Sequence, residues 1–533
     1  MKYDLVLCGG VVIDGTGAEP HPGDVAVTGS KVVYVGEGLD VEDLDSARLV
    51  IDATGLAVAP GFIDIHTHSD LSVVQDPRCE SKILQGVTTE VVGNCGFSPF
   101  PSSTAGRAGL LDHLGRLGHG SEPVCWASFH EFTEAVGQDP PALNVVALVG
   151  HGALRIAAMA DPFGTSSETE IARMEQLLAE ALDQGAWGFS TGLTHTPSSL
   201  ADEEEIRRLV AVCASHGALY ATHARVFAGQ SFAAVEEAVR TSQEMGARLQ
   251  YSHIALHEPK DWGRAADVLA IFEAAEAEGL NVGFDLYPYT ASSSDLLQYL
   301  PAWAQEGGSA QVARNNLDPT WRRSVLDELR NGWFGGIPWH WDRVVVASAG
   351  QSTGEVGLSV DQVSKKRNVR PEEVLLDLCA EAGSPASAVL HYRTEEDMAQ
   401  FLRHRLSVVG SDGLAISLGP SANRPHPRSF GTFPRVLGRY ARDGGELPLA
   451  VAVHKMTEGP AKRLGLQDRG VLRASYAADI VVFDPERVID TATFEEPRQA
   501  PAGIEFVIVN GQVVVRDGRQ NGGGAGRLLR RPR

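Results

Sequence analysis

Two histidines separated by one residue, His66 and His68, close the apolar run LAVAPGFIDI at 56–65. Alternate residues of a strand share a face. A strand ending here therefore aims both imidazoles to one side, where two neutral nitrogens can hold one divalent metal ion. A polar pair on the buried face of an apolar strand needs partners, and a metal supplies them. Four more residues follow strand-like runs in the same way: Cys95 in VVGNCG, His223 in LYATHAR, His253 in LQYSHIA and Asp412 in LSVVGSDG. Singly, Cys95 is a small buried hydrophobe, Asp412 a turn cap, and each histidine an ordinary core or surface residue. Their recurrence at successive strand ends makes them one ligand set. Thiolate and imidazole suit a borderline-soft ion, and a carboxylate on the last strand is the proton acceptor that a metal-activated water requires.

The elements that must position these residues are strands alternating with helices. Between 60 and 466, runs such as TTEVVG, ALNVVALVG, AWGFSTG, ALYATHA, RLQYSHI, NVGFDLY, DRVVVAS and LSVVGSD are interleaved with helical segments such as ETEIARMEQLLAEALDQG. That alternation predicts parallel βα units. A count near eight, with polar residues gathered at strand C-terminal ends, favours a TIM-like (β/α)8 barrel over an open doubly wound sheet. Segments 1–59 and 467–533 instead carry short β-like runs and Gly/Asp turns, which predict one small β-sandwich domain built from both ends of the chain. Residues 292–342 break the rhythm with Trp303, Trp321, Trp333, Trp339 and Trp341, and are a candidate lid over the barrel. The Gly- and Arg-rich end GGGAGRLLRRPR is expected to be flexible.

A chain of 533 residues, 43% hydrophobic and 21% charged, can bury a large core. Forty-six basic against 68 acidic side chains give a net charge of −22. That balance repels phosphate backbones and anionic lipid, so neither nucleic acid nor a membrane is an expected partner. No signal-peptide pattern or membrane-length run is present, six cysteines have no paired spacing, and a cytoplasmic protein with reduced thiols is expected. Its partner is a small-molecule substrate, and a homo-oligomer is compatible with the sequence.

The segments GFIDIHTHSD, QGVTTEVVGNCGFSP, LVGHGALR, GFSTGL, SHI followed by DWG, DLYPYTA, GSDG and HPRSFGTFPRVLGRY resemble the amidohydrolase superfamily, and within it the N-acyl-D-amino-acid deacylases. The resemblance covers nearly the whole chain, and its NCG cysteine and HPR…GTFPR segment are the more specific parts. It implies a distorted (β/α)8 barrel with a small β-sandwich, and zinc as the metal. Carried over by motif, Cys95, His223 and His253 hold a tight zinc, while His66, His68 and Asp412 lie at a second position, weaker or vacant, that Cys95 can bridge. No lysine occurs between Lys82 and Lys260, so the carboxylated-lysine bridge of many binuclear superfamily members is unavailable. The thiolate of Cys95 supplies negative charge at the same centre, which disfavours the lysine-bridged cyclic-amide hydrolases.

The implied reaction is hydrolysis of an N-acyl-D-amino acid to a carboxylate and a D-amino acid, with Asp412 taking the water proton and returning it to the leaving amine. His151, His195, Arg225, Tyr287 and Tyr289 are the candidate substrate-binding residues. Two departures bear on the substrate: the family's SHHK lysine is Ala255 here, and the tyrosine after GFSTGL is His195. One charge-assisted partner is worth roughly 1.5–3 kcal/mol, enough to redirect preference toward a different amide or a cyclic amide. Arg225, His195 or an arginine of 424–435 could compensate. A deaminase is disfavoured because no glutamate flanks His223, and a non-catalytic scaffold because all six ligand positions are occupied.

Overall fold

Described here by a computed structural model over residues 2–118, 124–350, 352–381 and 386–532, the chain is organised around eight parallel strands: β1 (Phe62–Asp64), β2 (Val87–Val92), β3 (Asn144–Gly150), β4 (Gly188–Gly192), β5 (Leu219–His223), β6 (Arg248–Tyr251), β7 (Val282–Leu286) and β8 (Ser407–Val409). Each pairs with its sequence neighbour. The seam between first and last closes just past the strand ends, where Thr67 bridges Gly413 and the Asp412 amide donates to the His66 carbonyl at 2.8 Å. This is the (β/α)8 barrel. Helices pack on its outside along apolar faces at helical spacing: Glu168–Asp183 buries Ile171, Met174, Leu178 and Leu182 and is fixed at its start by a Ser167/Glu170 capping box.

The two ends of the chain meet in one nine-stranded sheet, in which Ile480–Phe483 pairs antiparallel with Ala57–Pro60 and that strand runs parallel to Leu5–Val12. Leu7, Val25, Val27, Ile480, Val482 and Ile508 form its core. Among the described residues no helix is long and apolar enough to cross a membrane.

Two expectations are corrected. The run DRVVVAS is not a barrel strand: Val344–Ser348 pairs antiparallel with Ser387–Leu390, which in turn pairs with Ser292–Asp295. The inserted segment thus runs on past 342 as a unit with its own core, including Leu296, Val312, Val325, Trp333, Leu375 and Tyr392. β-branched content alone does not tell which sheet a strand joins. Nor is the Gly/Arg end a flexible tail. Leu528 bridges Val145 in parallel, Trp187 Nε1 donates to the Leu529 carbonyl at 2.7 Å, and the Arg531 amide donates to Gly185 at 2.9 Å. The leucine pair packs at the foot of the barrel, remote from the mouth where the ligand residues stand. Composition marked the segment as mobile, but backbone pairing and apolar burial order it.

Candidate metal centre and cavity

The candidate ligands converge at the C-terminal mouth of the barrel. His66 is fully buried, and its Nε2 lies 3.3 Å from Cys95 Sγ and 3.6 Å from Asp412 Oδ1. Cys95 Sγ is 3.4 Å from His253 Nε2, and His68 Nε2 is 3.0 Å from Asp412 Oδ1. Two groups of donor atoms result, His66–Cys95–His253 and His66–His68–Asp412, each with its atoms within 4.8 Å of one another, and they share His66. His223 stands beside them, its ring 4.5 Å from that of His253, but its Nε2 is hydrogen-bonded to Thr194 Oγ1 at 2.7 Å. The sequence expectation grouped His223 with Cys95 and His253; the convergent set here has His66 in that place.

Three of these residues hold left-handed backbone: Cys95 at φ 52°, His253 at φ 36° and Asp412 at φ 50°. Such conformations cost a non-glycine residue on the order of 1–3 kcal/mol each and persist only where the surroundings enforce them. The Cys95 turn rests directly on the end of β4, where a Cβ on Gly192 would collide with the Cys95 carbonyl. A glycine is required there for close approach.

Residues that spacing could not reveal set the protonation of the centre. Asp285, on β7, accepts from His66 Nδ1 at 3.0 Å, from the His253 amide at 2.8 Å and from Gln250 Nε2 at 2.9 Å. A carboxylate in that position orients the imidazole so that Nε2 faces the donor cluster. Burial by itself would raise the Cys95 thiol, but the charges of His66 and His253 and a hydrogen bond from His223 hold it well below its ordinary value, so the thiolate is favoured. Burial likewise opposes ionisation of Asp412, yet Arg428, then His253, His68 and His66 hold its carboxyl well below the usual carboxylate range. Arg428 Nη1 is 2.7 Å from Asp412 Oδ2, an ion pair outside hydrogen-bond alignment. Thiolate, imidazoles and carboxylate at this spacing fit a borderline-soft divalent ion such as zinc.

The centre forms the floor of a cavity of about 290 Å³ whose walls include His68, Cys95, His195, Tyr287, Arg393 and Asp412. Of the five residues expected to meet substrate, His195 and Tyr287 line this cavity. The other three are engaged elsewhere. His151 Nε2 is 2.7 Å from Glu205, which also binds the buried Arg155. Arg225 is held by Glu237 at 3.0 Å and by the carbonyls of Ser199 and Ala201. Tyr289 is sealed under Arg435 beside Asp490. Ala255 borders a smaller neighbouring depression with Arg225 rather than the main cavity.

A candidate metal-ligand set at the mouth of a (β/α)8 barrel, facing a cavity, is the arrangement of a barrel-borne metal-dependent hydrolase. The amidohydrolase family model matches residues 49–327 and 364–515. The chain is 38% identical to the N-acyl-D-glutamate deacylase of Alcaligenes xylosoxydans xylosoxydans, over 96% of this chain and 94% of that one. It is 37% identical to the D-aminoacylase of the same organism, over 99% and 98%. Among solved structures, the N-acyl-D-glutamate deacylase of Bordetella bronchiseptica, complexed with zinc and a phosphonate mimic of the tetrahedral intermediate, superposes with a TM-score of 0.84 at 34% identity, covering 99% of this chain and all of that one. The chain belongs to the amidohydrolase family, in its N-acyl-D-amino-acid deacylase branch.

Proposed function

We propose that this protein is a zinc-dependent deacylase that converts an N-acyl-D-amino acid and water to a carboxylate and a free D-amino acid. The observation that carries this reading is the pair of donor groups meeting at His66, with the ionised Asp412 at the edge of one of them and facing the cavity. Cys95, His253 and the adjacent His223 are the residues that would hold a tight ion, with His66, His68 and Asp412 at a second, weaker position; the 3.4 Å approach of Cys95 to His253 supports the first set. A zinc ion bound there supplies Lewis acidity that polarises the acyl carbonyl and makes water a competent nucleophile at neutral pH.

The remaining steps belong to protein groups. Arg428 pairs with Asp412 Oδ2, while Oδ1 faces His68 on the ligand side, and the carboxylate accepts the proton of the attacking water there. The protonated Asp412 then delivers that proton to the amide nitrogen as the C–N bond breaks, so the amine departs neutral. Asp285 holds His66 in place through its contact with Nδ1. Zinc-loaded protein offered matched N-acetyl-D- and N-acetyl-L-amino acids should release free amino acid from the D series alone. Turnover of both enantiomers at similar rates, or of neither, would overturn the proposal.

A further inference from the structure

The turn that presents Asp412 is held from two sides. Toward the first barrel strand the bonds are main-chain: the Asp412 amide donates to the His66 carbonyl at 2.8 Å, and the His68 amide to the Gly413 carbonyl at 2.9 Å. Behind the turn lies a charged group that neither lines the cavity nor belongs to the donor cluster. Lys82, on the short helix Glu80–Ile83, is fully buried. Its ammonium donates to Asp64 Oδ2 at 2.8 Å and to Ser411 Oγ at 2.5 Å. Asp64 closes the triangle by accepting from the Ser411 amide at 2.8 Å. The Ser411 hydroxyl also accepts from the Gly413 amide at 3.0 Å, so both of its lone pairs are taken and its direction is fixed. Ser411 and Gly413 flank Asp412, and one buried ammonium thus orients the residues on either side of it.

Burying an ammonium is costly, and a buried ion pair is weak evidence of a gain in stability; fixing one geometry is the role such a pair can fill. The geometry at stake is the backbone of Asp412, at φ 50°, which persists only where its surroundings enforce it. We propose, resting on the deacylase reading above, that Lys82 is a positioning residue for Asp412: through Ser411 it locks the turn that points the carboxylate at His68 and the cavity. Proton transfer then depends on a side chain whose own hydrogen bonds go to Asp64 and Ser411, not to a ligand residue. The plain alternative is that the Lys82–Asp64 pair serves only to stabilise the fold. Ser411 separates the two readings, because removing its hydroxyl cuts the link to the turn and leaves the Lys82–Asp64 pair whole.

The test compares wild type, Ser411→Ala, Lys82→Met and Lys82→Gln, all zinc-loaded, by steady-state kinetics on an N-acetyl-D-amino acid and by amide hydrogen exchange. Ser411→Ala should lower kcat about tenfold with KM within about twofold of wild type, retain one tight zinc, and quicken exchange in segment 407–415 alone. Lys82→Met should show the same loss of kcat and the same local loosening, with a lower thermal midpoint because Asp64 is left unpaired. Lys82→Gln keeps a donor without the charge and should recover part of the kcat. Should a Lys82 variant fail to fold, Ser411→Ala decides by itself. Exchange needs no turnover, so local loosening in Ser411→Ala supports the positioning role even if no amide is hydrolysed, in which case only the deacylase reading falls. Wild-type kcat in active Ser411→Ala, unchanged exchange in 407–415, or exchange raised throughout the chain overturns it.

Discussion

The floor of the cavity and its far wall satisfy their charges in opposite ways. On the floor every ionisable group has a protein partner: His66 leans on Asp285, His68 on Asp412, and Asp412 on Arg428. On the wall, Arg393 has an aromatic ring beneath it and no anion. The floor is therefore set before substrate arrives, as electrostatic preorganisation requires, whereas the wall keeps a guanidinium with no carboxylate partner among the described residues. The difference teaches where chemistry and selectivity separate: changes to the floor should cost turnover, and changes to the wall should cost affinity for the acid.

Asp412→Asn is the sharpest way to break that division. An amide cannot accept the water proton, so kcat should fall by about 10²–10⁴-fold while the tight metal and the thermal midpoint are retained. Elemental analysis beside steady-state kinetics checks both parts. Next in size, Asp285→Asn should lower metal affinity or activity by about 10–100-fold, because His66 loses the carboxylate that orients it; zinc-competition titration reads the affinity directly. The smallest effect is expected at Ala255→Lys. A lysine there enters the neighbouring depression rather than the main cavity, so KM for the acid should change by no more than about twofold. A large gain in affinity from that lysine would place the substrate carboxylate beside Ala255.

The floor was largely legible in the sequence because its residues announce themselves locally. The spacing of His66 and His68 put both rings on one side, and both do face Asp412, although the strand ends at Asp64 before either of them; Cys95, His253 and Asp412 each follow an apolar run. What spacing could not supply was orientation. His223 sits where the pattern put it, yet its Nε2 is turned to Thr194, and Asp285 lies in a run read simply as a strand. The wall was not legible at all. Arg393 reaches the cavity through a unit whose strand Val344–Ser348 looks like one more barrel strand until its antiparallel partner is known. The end of the chain shows the same limit: the leucine pair in GRLLRR finds its apolar site only in the folded barrel.

The central claim is that the floor works through a bound metal, and titrating zinc into chelator-stripped protein while following D-amino acid release from an N-acetyl-D-amino acid tests it most directly. Activity should be absent in stripped protein, return with zinc and reach its maximum near one equivalent per chain, with the fold unchanged throughout by circular dichroism. Full turnover in protein shown by elemental analysis to hold no transition metal would contradict the account.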